Sequence, residues 1–354
     1  MKRVEIDGSI GEGGGQILRT ALAVSAITKI PIKIFNIRAK RENPGLRPQH
    51  LTAVKAIAKL CNAEVKGDRV GSTEIEFYPR EIRGGSFEFD VGTAGSVSLV
   101  LQAILPVLLY AERPSRVRVR GGTDVPKAPT IDYMREVLVR LLKFLGADVK
   151  IILERRGHYP KGGGAVLVEV EAPVRLKARD FVERGELKEL RLRSHAVKLP
   201  KHVAERQARS ASSLLESELK VKPEVEIESY EPEKDPHLGP GSGVTVWTIF
   251  NESVIGSDSL GAPGKRAETV GEEAARLLLE DLATGAALDR HASDMIPLYL
   301  ALAGGSSVVK GALFTMHAYT VLELLKLMLE GFRYEVISGR INETFLVKIE
   351  SRSV

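Results

Sequence analysis

Residues 4–37 read VEIDGSIGEGGGQILRTALAVSAITKIPIKIFNI. Val4-Glu5-Ile6 is a short strand, Gln16–Thr28 has the spacing of a helix, and Pro31–Ile37 alternates as a second strand, so the chain opens as β–α–β. Between strand and helix lies Gly11–Thr20, GEGGGQILRT, where four glycines crowd around one carboxylate. Glycine tolerates positive φ and lets backbone approach a ligand, and the free N–H groups of a helix start favour phosphate oxygens. Glu12 in that loop can hold Mg²⁺ against phosphate oxygens. Gln16 and Arg19, three apart, share one helix face and point into the same cleft.

The opening pattern returns. Gln49–Cys61 is helical and Glu74–Phe77 extended, closing one unit. Phe87–Val91 is again a strand, Gly92–Ser96 (GTAGS) a small-residue turn, Val97–Tyr110 a helix and Ser115–Arg120 a strand. Thr130–Leu145 is the next helix, followed by strands at Asp148–Leu153 and Ala165–Val170. Near the C-terminus the order recurs with helices at Asp294–Ala303 and His317–Leu329, and extended segments at Ser307–Lys310, Tyr334–Ile337 and Phe345–Ile349. A period of about 80 residues marks three copies of one supersecondary unit. Val182–Ala275 breaks the repeat with its own helix (Val203–Leu219) and strands (Val225–Ser229, Val244–Phe250). The expected class is therefore α/β (α+β): residues 1–181 hold copies one and two of a large domain, 182–275 a smaller α/β insert, and 276–354 copy three. If the units pack about a common axis, the second helices, starting near Gln49-His50, Pro129-Thr130 and His317, bring their N-termini together. A polyphosphate fits such a convergence.

Composition bounds the partners. With 44% hydrophobic and 27% charged residues, the 354-residue chain is ordinarily globular. A net charge of +5 permits a polyanionic partner without demanding one. Cys61 is the only cysteine, which excludes an intrachain disulfide and a Cys-based zinc site. The N-terminus turns polar too soon for a signal peptide. The longest apolar run, Val97–Leu109, is short of a membrane span and contains Gln102 and Pro106, so a cytoplasmic protein without a membrane partner is expected. Amides are scarce, as in heat-adapted proteins. Three of the four glutamines (Gln16, Gln49, Gln102) fall in the glycine loop and its repeat-equivalent segments.

Two further segments carry chemistry. Arg38–His50 reads RAKRENPGLRPQH, with Arg38, Lys40, Arg41 and Arg47 before a helix. Arginine forks match phosphate oxygens bidentately, and without interleaved aromatics the loop suits a terminal phosphate better than a run of bases. His317 stands at the mouth of the copy-three helix, where a helix N-terminus keeps an imidazole neutral and so nucleophilic toward phosphorus. His50 and His158 are weaker candidates, and His195, His202 and His237 have no partner legible in the sequence. Gly261–Lys265 lacks P-loop spacing, and Gly11–Gln16 lacks the third glycine of a dinucleotide fingerprint.

In order along the chain, GEGGGQILR, RxxPGLxxQH at Arg41–His50, GTAGS, GGTD at Gly121–Asp124, YPKGGG at Tyr159–Gly164 and the His317 segment resemble the RNA 3′-terminal phosphate cyclases nearly end to end. The likeness is to the catalytic, archaeal or thermophilic members. It implies three βαβαββ units, similar to those of enolpyruvyl transferases, with a smaller insert. It also implies a reaction: ATP adenylylates a histidine, AMP moves to an RNA 3′-phosphate, and the vicinal 2′-OH closes a 2′,3′-cyclic phosphodiester. ATP and Mg²⁺ or Mn²⁺ are the implied cofactors, RNA with a 3′-phosphate end is the partner, and a homodimer is left open. Carried over by position, His317 is the nucleophile and Glu12 a metal contact. Gln16, Arg19, Arg38, Arg41, Gln49, His50 and Gln102 contact phosphate or nucleotide. Pro129 and Asp294 bound the adenosine, with His291 where family members often carry an aromatic residue. Two other readings stand beside this one: a non-catalytic, cyclase-like RNA-associated assembly factor, and a transferase acting on a small anionic metabolite.

Overall fold

The computed structural model describes residues 3–354. Copy one comprises β1 (Val4–Asp7), α1 (Gly15–Thr28), β2 (Ile32–Phe35), α2 (Pro48–Leu60), β3 (Glu64–Lys66) and β4 (Ile75–Tyr78). Its sheet has the order β1-β2-β4-β3, with only the β1–β2 pair parallel. Copy two repeats this with β5 (Gly85–Asp90), α3 (Val97–Leu109), β6 (Ser115–Gly121), α4 (Ile131–Tyr133), α5 (Val139–Phe144), β7 (Val149–Arg155) and β8 (Gly164–Val170). A π-turn at Met134–Leu138 joins α4 to α5, and the sheet order β5-β6-β8-β7 matches that of copy one. In β6 the period of two puts Val117 and Val119 into the core and Arg116 and Arg120 into solvent. The helices of the copies pack on one another, α1 against α3 and α9. The apolar, alanine-rich stretch of α1 is buried on every side from Ile17 to Ile27, as a helix at the centre of such a stack must be.

The insert contains β9 (Leu187–Val197), α6 (Lys201–Leu219), β10 (Glu224–Ser229), β11 (Gly241–Phe250), β12 (Val254–Leu260) and α7 (Ala267–Ala283). Its sheet, in the order β10-β9-β11-β12, carries α6 and α7. Leu192, Leu215, Val246 and Leu278 belong to a hydrophobic cluster separate from the main core, which Trp247 joins instead. Residue 275, the boundary expected from sequence, lies inside α7, whose packing on α6 and β12 keeps it with the insert's sheet.

Copy three contains α8 (Ala292–Ala303), β13 (Gly305–Gly311), α9 (Met316–Met328), β14 (Arg333–Ser338) and β15 (Phe345–Ser351), with sheet order β13-β15-β14. This is the order of the other copies without a continuous first strand. Two isolated parallel bridges run along β13 instead, Phe181 with Val309 and Leu288 with Gly311. Lys310 N donates to Phe181 O at 2.7 Å, and Ala312 N donates to Leu288 O at 2.9 Å. The insert is thus spliced into the first strand of copy three.

Candidate active site

The helix starts converge as the repeat predicts. Around one cavity of about 650 Å³ stand Glu12, Gln16 and Arg19 from the glycine loop and α1, and Arg38 and Arg41 from the basic loop. Gln49 and His50 from α2, Gln102 from α3, Pro129 ahead of α4, His291 and Asp294 at α8, and His317 at α9 complete the ring of candidates. Lys127, Asp258, Arg290 and Thr315 also line it. Of these, Thr315 had a legible signal, a threonine immediately before a helix. Lys127 and Asp258 lie in a loop and an insert strand with no motif to mark them.

Helix α1 begins at Gly15 behind Gly14, with no side-chain cap and no acidic residue in its first turn, so its N–H groups remain available to an anion. Glycine is required there by close approach. A Cβ at Gly15 would lie 2.3 Å from His50 Nε2, and one at Gly14 would lie 2.8 Å from Arg41 Nη2. The loop before it turns through positive φ at Gly11 (+54°) and Gly13 (+63°).

Glu12 ion-pairs with Arg41 through Oε1. Its Oε2 lies 2.5 Å from His317 Nδ1, but the two are out of line for a hydrogen bond, and each is buried without a hydrogen-bond partner. An uncommitted carboxylate oxygen of this kind fits a hard divalent cation. His317 is half-buried, and burial lowers its pKa; nearby Arg19 and Arg41 add to the depression while Asp294 opposes it. The ring is therefore neutral at pH 7, with burial as the main cause. Thr315 caps α9 by accepting from Ala318 N at 3.0 Å, and its hydroxyl donates to Asp294. Burial raises Asp294 to about 6, with Thr315 and His317 pulling the other way.

Arg19 is 8% exposed, and its Nε has no partner. Burial lowers its pKa to about 10, so it is still a cation at neutral pH. No carboxylate pairs with it among the described residues. A desolvated, unpaired guanidinium is costly, and a phosphate oxygen is the partner that offsets the cost. His50 is held at about 3 by burial together with Arg19, Arg38 and Arg47. Its Nδ1 accepts from Arg47 N at 3.3 Å, which leaves Nε2 as a neutral N–H donor.

Several candidates already have partners in the chain. Arg38, at φ +56°, donates from Nη1 to Asn43 O at 2.6 Å and Gly45 O at 3.0 Å, fastening its own loop. Gln49 Oε1 accepts from Ser96 N at 2.9 Å, and Gln102 Nε2 donates to Met295 Sδ at 3.2 Å. His291 meets the ring of Tyr133 edge-on at 5.5 Å. Its position depends on Asp289, which the sequence did not single out. Asp289 Oδ1 accepts from His291 N at 2.9 Å, Ala292 N at 2.8 Å and Tyr133 Oη at 2.7 Å, and Oδ2 accepts from Gly256 N at 2.9 Å. One carboxylate thus ties α4, α8 and the insert together at the cavity wall.

Residues 10–335 match the family described as RNA 3′-terminal phosphate cyclase. The RNA 3′-terminal phosphate cyclase of Ignicoccus hospitalis is 56% identical over 347 residues, covering 98% of each chain. That of Hyperthermus butylicus is 56% identical over 350 residues, again covering 98% of each. Among solved structures, EPSP synthase from Acinetobacter baumannii aligns with 99% of this chain and 64% of its own at 13% identity, but a TM-score of 0.30 carries no argument. With identity this high over nearly the full length of both relatives, the chain belongs to the RNA 3′-terminal phosphate cyclase family.

Proposed function

We propose that this enzyme uses ATP to convert an RNA 3′-terminal phosphate into a 2′,3′-cyclic phosphodiester, by way of a histidine-AMP adduct on His317. The observation that carries the reading is a neutral histidine held against Glu12 and facing the unpaired, buried Arg19. With Nδ1 toward Glu12, Nε2 is the nitrogen free to attack. It bonds to the α-phosphorus of ATP as the bond to the leaving diphosphate breaks. Arg19, Arg41, the His50 N–H and the uncapped start of α1 receive phosphate oxygens and stabilise the charge that develops.

The AMP group then moves to a 3′-phosphate oxygen of the RNA, breaking the P–N bond and returning His317 to its neutral form. This step is needed because a phosphomonoester lacks a good leaving group. In the resulting RNA-(3′)pp(5′)A, the 2′-OH attacks the adjacent phosphorus, loses its proton and expels AMP. The nucleophile is already in place, so closure draws on an effective molarity of order 10⁵–10⁸ M and needs mainly positioning. Glu12 is the residue that would hold Mg²⁺ or Mn²⁺, which when bound neutralises phosphate charge.

A non-catalytic assembly factor would need neither the neutral nucleophile nor an unpaired cation beside it. Incubation with ATP labelled at the α-phosphate and Mg²⁺ tests the reading. A covalent protein–AMP and conversion of 3′-phosphate RNA to the cyclic end are the expected products, and a folded protein that forms no adduct would sink it.

A further inference from the structure

We propose that Asp124, His158 and His195 form a buried site for one Zn²⁺ ion that fastens the insert to the large domain. One ligand atom of each residue lies within 4.8 Å of those of the other two, and the residues are 1%, 7% and 1% exposed. They come from separate places: Asp124 follows β6 and His158 follows β7 in copy two, whereas His195 lies in β9 of the insert.

The spacing suits a tetrahedral ion. His158 Nε2 and His195 Nε2 stand 3.2 Å apart. Two nitrogens at the usual 2.0–2.1 Å from zinc are about 3.3 Å apart along a tetrahedral edge. Asp124 presents a carboxylate of the right kind, since its Oδ2 accepts from Thr123 Oγ1 at 2.6 Å and Arg156 Nη1 at 3.2 Å while Oδ1 is buried with no partner. Outer contacts that orient a ligand while leaving one oxygen free are what a metal site requires. Two imidazoles and a carboxylate are a zinc donor set, and water takes the fourth position.

As a protein-only cluster the same atoms are poorly satisfied. Among the described residues the two Nε2 atoms have only each other as hydrogen-bond partners, and Asp124 Oδ1 is buried with none. The rings are also fixed in place. A Cβ at Gly241 would fall 2.0 Å from His158 Cγ, and one at Gly243 would fall 2.9 Å from His195 Cε1, so β11 offers each imidazole a bare stretch of backbone.

The test uses the untagged full-length chain, stripped with a chelator and titrated with Co²⁺ as a visible stand-in for zinc. One equivalent should give the intense absorption of four-coordinate cobalt, and one equivalent of Zn²⁺ should bleach it. His158→Gln and His195→Gln should lose the band, while Glu12→Ala, which alters the cavity ringed by the helix starts, should keep it. Only weak six-coordinate absorption, an intense band that survives both histidine substitutions, or one lost in Glu12→Ala would overturn the proposal. If the histidine variants do not fold, the wild-type chain decides alone. Zinc-loaded protein should then melt at a higher temperature than the stripped protein, and equal melting temperatures would count against the site. None of these readouts depends on cyclase activity.

Discussion

Glu12 Oε2 and His317 Nδ1 approach to 2.5 Å without making a hydrogen bond. The loop before α1 and the start of α9, far apart in sequence, therefore meet at this contact. Glu12→Ala should lower protein–AMP formation by at least about 100-fold, the scale of losing one charge-stabilising group, and should flatten its dependence on Mg²⁺ or Mn²⁺. The check is a metal titration of the adenylylation rate; an unchanged curve would remove Glu12 from the site.

Arg41 is 43% exposed on its side chain and pairs with Glu12. An ion pair that open to solvent contributes about 0–1 kcal/mol, so Arg41→Ala should leave the melting temperature nearly unchanged. Cyclisation should fall sharply, because the guanidinium is proposed to hold phosphate. Equal losses of stability and activity would mean that the residue serves the fold.

The site was legible where chemistry sits at a helix start. Glycines, a basic loop and a histidine each precede an apolar helix, and the repeat places those starts about one axis. Arg38, Gln49 and Gln102 show what residue type leaves out, since the same amide or guanidinium that suits phosphate here also closes a loop, clasps two copies or meets a sulfur. The split first strand of copy three gave no local signal, because Phe181 and Leu288 each contribute only a single bridge on either side of the insert. Strands β9 and β12 were missed too. β9 is rich in charge, and only the middle of its run, at Leu190 and Leu192, alternates clearly into the insert's core.

Gly15 tests the packing of the glycine loop. A Cβ there would sit 2.3 Å from His50 Nε2, so Gly15→Ala should displace the imidazole and reduce adenylylation while α1 itself, which favours alanine, still forms. The steric origin can be isolated with a double variant. Gly15→Ala combined with His50→Ala should be little worse than His50→Ala alone, any remainder coming from Arg19 Nη1 at 3.1 Å from the same Cβ, and fully additive losses would mean that the glycine matters for another reason.

The Asp294 carboxylate, itself raised to about 6 by burial, opposes the lowering of the His317 pKa. Adenylylation needs neutral His317, so its acid limb falls below the ordinary histidine value. Asp294→Asn removes the negative charge that, above about pH 6 where the carboxyl is ionised, holds the proton on the ring, so it lowers the His317 pKa further and moves the limb to lower pH. Initial rates of protein–AMP formation between about pH 5 and 8 read this directly. A limb displaced to higher pH would mean that Asp294 does not act on His317 through its charge.

His317 carries the mechanism, and its adduct has a chemical signature. A histidine adenylate is a phosphoramidate, so it should survive alkali and be destroyed by acid, whereas an acyl adenylate would yield to alkali or hydroxylamine. His317→Asn keeps a polar group of similar size at a half-buried helix start already capped by Thr315, so the variant should fold. It should form no protein–AMP and leave 3′-phosphate RNA unchanged. RNA supplied with a 3′-terminal adenylate bypasses both histidine steps, and cyclisation of that substrate should persist in part, because closure depends on positioning the 2′-OH. The paired result separates loss of the nucleophile from collapse of the site: a variant inactive on both RNAs would point to a structural role, and one that still forms wild-type levels of protein–AMP would return His50, His158 or a lysine to candidacy.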